Sequence, residues 1–355
     1  MDITTIDQGR LEAFVGQAIN DLSAGYAGVM ISLGHRLGLY QALDDGGAQT
    51  AAELAKRAGC SERYVREWLN SQVAGGYLNY EAASERYAMS PEQAAVLADP
   101  DSPYFIPCAW EVPASMWFDE MRTEQAFRSG QGVPWGEHDH RLYRGVAEFF
   151  RNAYRAHLIS AWLPALDGVV AKLEAGIEVA DVGCGYGHST LLMAEAFPNS
   201  RFYGFDTHAG SIDEARHSAR QAGVDGHTSF VMANAMDYPK RDYGLICFFD
   251  CLHDMGDPMA AARYAAEALD RDGTVMLVEP YAEDRLEDNI SPIARIYYAA
   301  STTLCCAHAL SEHGPTVLGA QAGQARLAEI FRQAGFTRFR RAAETPFNLI
   351  LEARL

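Results

Sequence analysis

The stretch from Val179 to Thr190 reads VADVGCGYGHST. An apolar run leads into three alternating glycines, and residues suited to a helix start follow. The pattern is strand, tight loop, helix. Gly183, Gly185 and Gly187 give G-x-G-x-G, whereas the dinucleotide fingerprint is G-x-G-x-x-G. Without Cβ atoms, such a loop lets the backbone pass close to a ligand. Nineteen residues beyond Gly187, Asp206 ends the run RFYGFD. A carboxylate there can accept hydrogen bonds from both hydroxyls of an adenosine ribose. Loop, spacing and acid together predict a nucleoside cofactor. A nicotinamide dehydrogenase is rejected because the third glycine comes one position early.

Working outward, apolar runs alternate with helical stretches: IEVADVG, RFYGFD, TSFVMANA, YGLICFFD and GTVMLVEP, then TRFRR and FNLILEARL. The pattern predicts an α/β, Rossmann-like doubly wound sheet of seven strands, closed by a hairpin with the last strand antiparallel. It occupies residues 171–355. Residues 1–100 read as helical, beginning with LEAFVGQAINDLSAGYAGVMISLGHRLGLYQAL. Thr50 with Glu53 forms a capping box, Gly59 ends that helix, and Ser61 caps the next. YLNYEAASERYAMS then alternates around a turn, completing a winged-helix pattern. Residues 101–170, rich in proline and glycine before a long helical run, are expected to be a connector and helical cap.

At 355 residues, 48% hydrophobic and 21% charged, the chain has ample material for two cores. Its net charge of −18 opposes nucleic-acid phosphates and anionic lipid. Residues 1–100 hold seven Lys and Arg against thirteen Asp and Glu, a local −6, so the winged helix is expected to be an interaction scaffold and not a DNA reader. No apolar run approaches a membrane span and no signal peptide is evident. Seven cysteines without C-x-x-C spacing fit reduced thiols in a cytoplasmic protein.

Asp181-Val-Gly183-Cys-Gly185-Tyr-Gly187, Asp206 and VMANAMD together resemble class I S-adenosylmethionine (SAM) methyltransferases. The resemblance implies that the three glycines pack against the methionine part of SAM. Asp206, followed by Thr207, would hold the ribose, and Asn234-Ala235 would border the adenine. Asn234 stands where an aspartate is common. Asp181 and Asp250, at the ends of the first and fourth strands, complete the expected cofactor contacts. The layout also resembles small-molecule methyltransferases with an N-terminal dimerisation domain, and a bacterial group carrying FFDCLHDMGDP and LGAQAG segments. That resemblance implies a homodimer acting on a small molecule, while the charge balance speaks against a nucleic-acid or membrane partner.

Ligands of open α/β sheets bind beyond the carboxyl ends of the strands. Strand four delivers His253 and Asp254 to that edge, so both are candidates for catalysis. A second histidine-bearing stretch, CCAHALSEHG, lies after strand five. His308 and His313 are five apart and converge only if the helix ends between them, as Gly314-Pro315 signals. With His253 they would offer three imidazoles to zinc, or to ferrous iron with a carboxylate. The pattern resembles metal-holding methyltransferases that methylate the β-carbon of α-keto acids. The resemblance implies metal ligation by His253, His308 and His313. The chemistry then needs a base for the β-proton, and Asp254 and a metal-bound hydroxide are both candidates. Arg144, Arg151 and Arg295 are candidate partners for a substrate carboxylate. The rival enzymatic reading is a metal-free O- or N-methyltransferase with His253 as general base, and the non-enzymatic one a SAM-sensing regulator.

Overall fold

The computed structural model describes residues 6–355. The chain falls into two units, one holding the residues up to Ser115 with Arg141–Asn152, the other Met116–His140 with Ala153–Leu355. The expected connector over 101–170 is thus divided between them. In the first unit Glu111 pairs with Arg141 at 3.1 Å. In the second, the Tyr154 ring packs on Trp162 and Phe249.

The first unit runs through α1 (Gln8–Arg36), α2 (Leu39–Gly46), α3 (Ala51–Ala58) and α4 (Glu62–Ala74), then strands β1 (Asn79–Glu81) and β2 (Arg86–Ala88), and α5 (Pro91–Leu97). The capping box forms: Glu53 N–H donates to Thr50 Oγ1, and Thr50 N–H donates to Glu53 Oε2. Gly59 ends α3 at φ +66°, a conformation glycine adopts without a Cβ penalty. Ser61 occupies the N-cap of α4, but its side chain makes no capping bond. The wing is the antiparallel pair β1–β2, with Gln49 bridging to Tyr87 through two backbone hydrogen bonds of 2.8 and 2.9 Å. Tyr40, Leu54, Trp68 and Leu69 bury the apolar faces of α2, α3 and α4 in one core. On α4, Arg66 pairs with Glu62 at 2.6 Å and Arg63 with Glu67, so each arginine is matched by an acid one turn away.

The second unit begins with α6 (Glu111–Phe118, which starts in the first unit) and α7 (Glu120–Ser129); α8 (Arg141–His157) likewise spans both, and α9 (Val169–Ala175) follows. The sheet strands are β3 (Glu178–Val182), β4 (Arg201–Asp206), β5 (Thr228–Met232), β6 (Tyr243–Phe249), β7 (Leu269–Pro280), β8 (Arg338–Glu344) and β9 (Asn348–Arg354). Helices α10 (His188–Ala196), α11 (Ala209–Ala222) and α12 (Pro258–Ala268) connect the parallel strands, and α13 (Pro292–Ala300), α14 (Cys306–Ser311) and α15 (Gln324–Gln333) lie between β7 and β8. The strand order is β5-β4-β3-β6-β7-β9-β8, with β9 antiparallel to both neighbours. This is the expected seven-stranded sheet. Every residue of β6 is buried, as a central parallel strand covered on both faces requires. The chain leaves β3 toward β4 on one side and returns to β6 on the other. That reversal opens a crevice at the carboxyl ends of β3 and β6.

Candidate active site

The loop after β3 is held from beneath. Asp181 is fully buried, and its Oδ2 accepts hydrogen bonds from Ser189 and Thr190 hydroxyls at 2.6 Å each. Burial pushes its carboxyl up to about 6, against the pull of those two hydroxyls. Gly183 and Cys184 N–H groups both donate to the Phe205 carbonyl, tying the loop to the end of β4. All three glycines have positive φ. A Cβ on Gly183 would meet Cys251 Sγ at 2.7 Å, and one on Gly187 would meet the Phe230 ring at 2.8 Å. A Cβ on Gly185 would meet no atom within 4 Å. The first and third glycines are therefore required by packing, and the middle one faces open space that a ligand can use.

Asp206 receives the Gly185 N–H on one oxygen at 2.9 Å and the His208 N–H on the other at 2.8 Å. A carboxylate accepts about four hydrogen bonds, so acceptor capacity remains for ribose hydroxyls. Burial raises its pKa, and the two backbone donors oppose the rise. Thr207 beside it is exposed. Asn234 is committed to a local turn: its Oδ1 accepts from Met236 N–H at 2.7 Å. The side-chain oxygen expected at an adenine edge is thus already engaged. Met232 and Met236, both exposed, flank Asn234 and Ala235 as apolar surface that sequence reasoning did not single out.

Asp250 sits at φ +49°, in a region disfavoured for a residue with a side chain. Its oxygens accept from Tyr154 OH at 3.1 Å and Asn348 Nδ2 at 2.8 Å. Burial, with Glu279 nearby, raises its pKa well above the carboxylate range. It braces the strand ends through Tyr154 and Asn348.

A short 3-10 turn, Leu252–Asp254, follows β6 and carries His253, which is buried. His253 Nδ1 lies 2.6 Å from Glu279 Oε2, at the end of the neighbouring strand β7. The other Glu279 oxygen is buried without a partner among the described residues. Burial alone disfavours imidazolium, but the Glu279 and Asp254 carboxylates outweigh it and raise the His253 pKa well above its ordinary value. Cys305 approaches the same ring as a hydrogen-bond partner, and burial keeps its thiol protonated while His253 opposes that rise. Cys305 arrives through a π-helical turn, Ser301–Cys305, between α13 and α14. Such turns shift a helix face, and this one brings Cys305 beside His253.

The expected triad of imidazoles is not assembled. Among the described residues the group that brings three potential ligands together is His253, Asp254 and Cys305, with ligand atoms within 4.8 Å of one another. His308 Nδ1 accepts the Trp135 N–H at 3.2 Å, and its Nε2 lies 3.6 Å from Glu312. The helix does end between the two histidines, but His313 then takes φ +55° and is exposed. His308 nevertheless acts electrostatically on both Asp206 and Asp254. Val133 N–H donates to the Ala307 carbonyl at 2.8 Å, so residues 132–135 lie against α14. Glu312 ties the same helix to the His253 loop by accepting the Gly256 N–H at 2.7 Å. Of the three arginines, Arg144 is engaged by Glu148 at 2.7 Å, Arg295 is exposed, and Arg151 belongs to the first unit.

Residues 25–99 match the family model described as the Rv2258c-like winged HTH domain, and residues 173–335 match that of a methyltransferase domain. The 27-O-demethylrifamycin SV methyltransferase of Amycolatopsis mediterranei is 31% identical over 107 residues, covering 30% of this chain and 39% of that protein. The chain thus spans about two fifths of that curated relative. An O-methyltransferase family protein from Burkholderia thailandensis superposes with a TM-score of 0.71 at 17% identity, covering 96% of this chain and 98% of that one. Human N-acetylserotonin methyltransferase, solved with SAM, gives 0.67 at 17% identity and 99% coverage of both chains. These structural likenesses establish the fold. The chain thus carries an Rv2258c-like winged helix-turn-helix domain followed by a methyltransferase domain.

Proposed function

We propose that the chain transfers the methyl group of SAM to an oxygen of a small molecule, as a cytoplasmic homodimer. The observation that carries the reading is the 2.6 Å contact between His253 Nδ1 and Glu279 at adjacent strand ends. Glu279 fixes the proton on Nδ1 and leaves Nε2 as the site that accepts a hydroxyl proton. The residues present fit the cofactor: Gly185 leaves open space, Asp206 keeps acceptor capacity, and Met232 with Met236 offers apolar cover for a base. Gly183 and Gly187 shape the loop, Asp181 anchors it, and Thr207, Asn234 and Ala235 border the nucleoside end. When bound, SAM supplies an electrophilic methyl on a sulfonium that departs neutral. The protein's own work is to orient the acceptor oxygen, remove its proton through His253 and exclude water. Neighbours named as O-methyltransferases support transfer to oxygen. Seven free cysteines support a reducing compartment, and no helix among the described residues is long and apolar enough to cross a membrane.

A second reading rests on the convergence of His253, Asp254 and Cys305. A nitrogen, an oxygen and a sulfur donor suit zinc or ferrous iron, and such an ion would serve metal-assisted C-methylation of an α-keto acid. One experiment separates the two. The purified protein is assayed for SAM consumption against phenolic and α-keto acid acceptors, with elemental analysis and a chelator arm. Methylation of phenols that is indifferent to chelator supports the oxygen reading. Keto-acid turnover lost with chelator and restored by one metal overturns it.

A further inference from the structure

The segment LGAQAG, Leu318 to Gly323, joins α14 to α15 beside the candidate base. Gly319 N–H donates to the His253 carbonyl at 3.0 Å. Gly319 takes φ +72°, and a Cβ there would collide with Ser301 Oγ. Ala320 N–H donates to that same Ser301 oxygen at 3.0 Å. Gln321 Nε2 then donates to the carbonyls of Tyr281 and Ala320, each at 3.1 Å. Turning the carboxamide over would set its oxygen against two carbonyl oxygens, so its orientation is fixed by these bonds. Its Oε1 is left buried without a partner among the described residues. Tyr281 lies two residues past Glu279, whose Oε1 is buried and unpartnered in the same way.

Donors and acceptors are unequally used around this strand end. Tyr281 OH donates to Glu283 at 2.6 Å and Asn348 Nδ2 to Asp250 at 2.8 Å, so these donors are spent, like those of the segment itself. The two Oε1 atoms remain. A buried acceptor left unmade is costly, and folded proteins keep few of them. We infer that the methyl acceptor carries an O–H or N–H donor beside the hydroxyl that is methylated, and that Gln321 Oε1 receives it. The inference rests on the oxygen-transfer reading and names its substrate class. The reacting hydroxyl gives its proton to His253 Nε2 as its oxygen bonds the methyl carbon, and the carbon–sulfur bond breaks to leave a neutral thioether. The neighbouring donor keeps its proton throughout. Glu279 Oε1 is a second acceptor for the same kind of group. A carboxylate in the donor's place would set oxygen against oxygen near the Asp254 and Glu279 carboxylates, so the same arrangement selects against acidic acceptors.

The test uses matched acceptors that differ only in that donor: catechol against 2-methoxyphenol, and 2-aminophenol against 2-(dimethylamino)phenol. Each is given to the full chain with SAM, and release of S-adenosylhomocysteine yields kcat/KM. The donor-bearing member of each pair is expected to exceed its capped partner by about 10–100-fold, because the capped compound leaves the buried oxygen unpaired. Catechol is expected to be methylated once, since its product is the capped compound. Gln321→Leu removes the unpaired oxygen and should bring both ratios to within about twofold of unity, with calorimetric binding of S-adenosylhomocysteine unchanged. Should that variant fail to fold, Gln321→Met keeps the length of the side chain and carries the same expectation. Equal kcat/KM within the pairs overturns the inference and leaves oxygen transfer standing. A wild-type preference that the variant retains takes recognition away from Gln321 and also overturns it. Methylation of none of the four overturns the oxygen-transfer reading, and the inference with it.

Discussion

The two halves of the candidate site are built in opposite ways. On the cofactor side, Asp181 through Thr190 are contiguous, and Asp206 reaches back to the Gly185 N–H over 21 residues. On the acceptor side, His253 meets Glu279 across 26 residues and Cys305 comes from beyond β7. A local motif carries its own geometry, because backbone sterics fix where each side chain goes. A long-range constellation takes its geometry from strand register and helix phase. Damage should accordingly be chemical on one side and conformational on the other.

The largest expected effect lies on the acceptor side. His253→Ala removes the proton acceptor and should lower kcat by about 10²–10⁴-fold, the usual worth of a general base. Binding of S-adenosylhomocysteine by calorimetry should be unchanged. A loss of binding equal to the loss of rate would merge the two sides and break the contrast.

Glu279→Gln should cost roughly 10–100-fold, the range for a residue that orients a catalytic neighbour, and its signature is in the pH profile. The carboxylates raise the His253 pKa, so the ring becomes available as a base at higher pH than an ordinary histidine. A neutral amide in place of Glu279 moves that rise to lower pH. Stability runs the other way. A raised imidazole pKa contributes stability fully below about 6.5, the unfolded value, and loses it as pH climbs through the folded one. Wild-type Tm should therefore fall over the same pH window in which activity rises, and the variant should lose much of that dependence. Coincident pH profiles for the two proteins would remove Glu279 from the mechanism.

The sequence made the sheet, the wing and the cofactor loop readable because each is encoded within short spans. Alternation marks the strands, Thr50 and Glu53 mark a helix start, and three glycines with a distant acid mark the loop. The His253–Glu279 pair was only half readable. Both residues visibly end strands, but their contact depends on the β6–β7 register, in which Phe249 pairs with Val278. The approach of Cys305 to His253 was not readable, because a π turn is not signalled by composition. His313 was misplaced although the helix stop was correctly located: knowing where a helix ends does not say which way the next residue turns.

On the cofactor side the glycines should separate by mechanism. Gly183→Ala puts a methyl against Cys251 at positive φ, adding overlap to backbone strain. It should lower stability by about 2–4 kcal/mol. Gly185→Ala carries the strain without the overlap, about 1–2 kcal/mol. Its methyl enters the open space and should weaken S-adenosylhomocysteine binding by roughly tenfold, about 1.4 kcal/mol. Paired melting and calorimetry distinguish them. Equal losses of affinity at equal Tm would mean that the space beside Gly185 does not face the cofactor.

The smallest effect is expected at His313, where it is also the most discriminating. The residue follows the last turn of α14 at φ +55°, a position that glycine fills without strain. His313→Gly should therefore raise stability slightly, by up to about 1 kcal/mol. Turnover should stay within about twofold of wild type, the scatter left when a change touches no shared partner. If His313 instead closed over an ion beside His253, the same substitution would remove a ligand and activity would fall with metal content. A gain in Tm together with full activity therefore places this histidine at a helix terminus, and it leaves His253, Asp254 and Cys305 as the residues on which any metal reading has to stand.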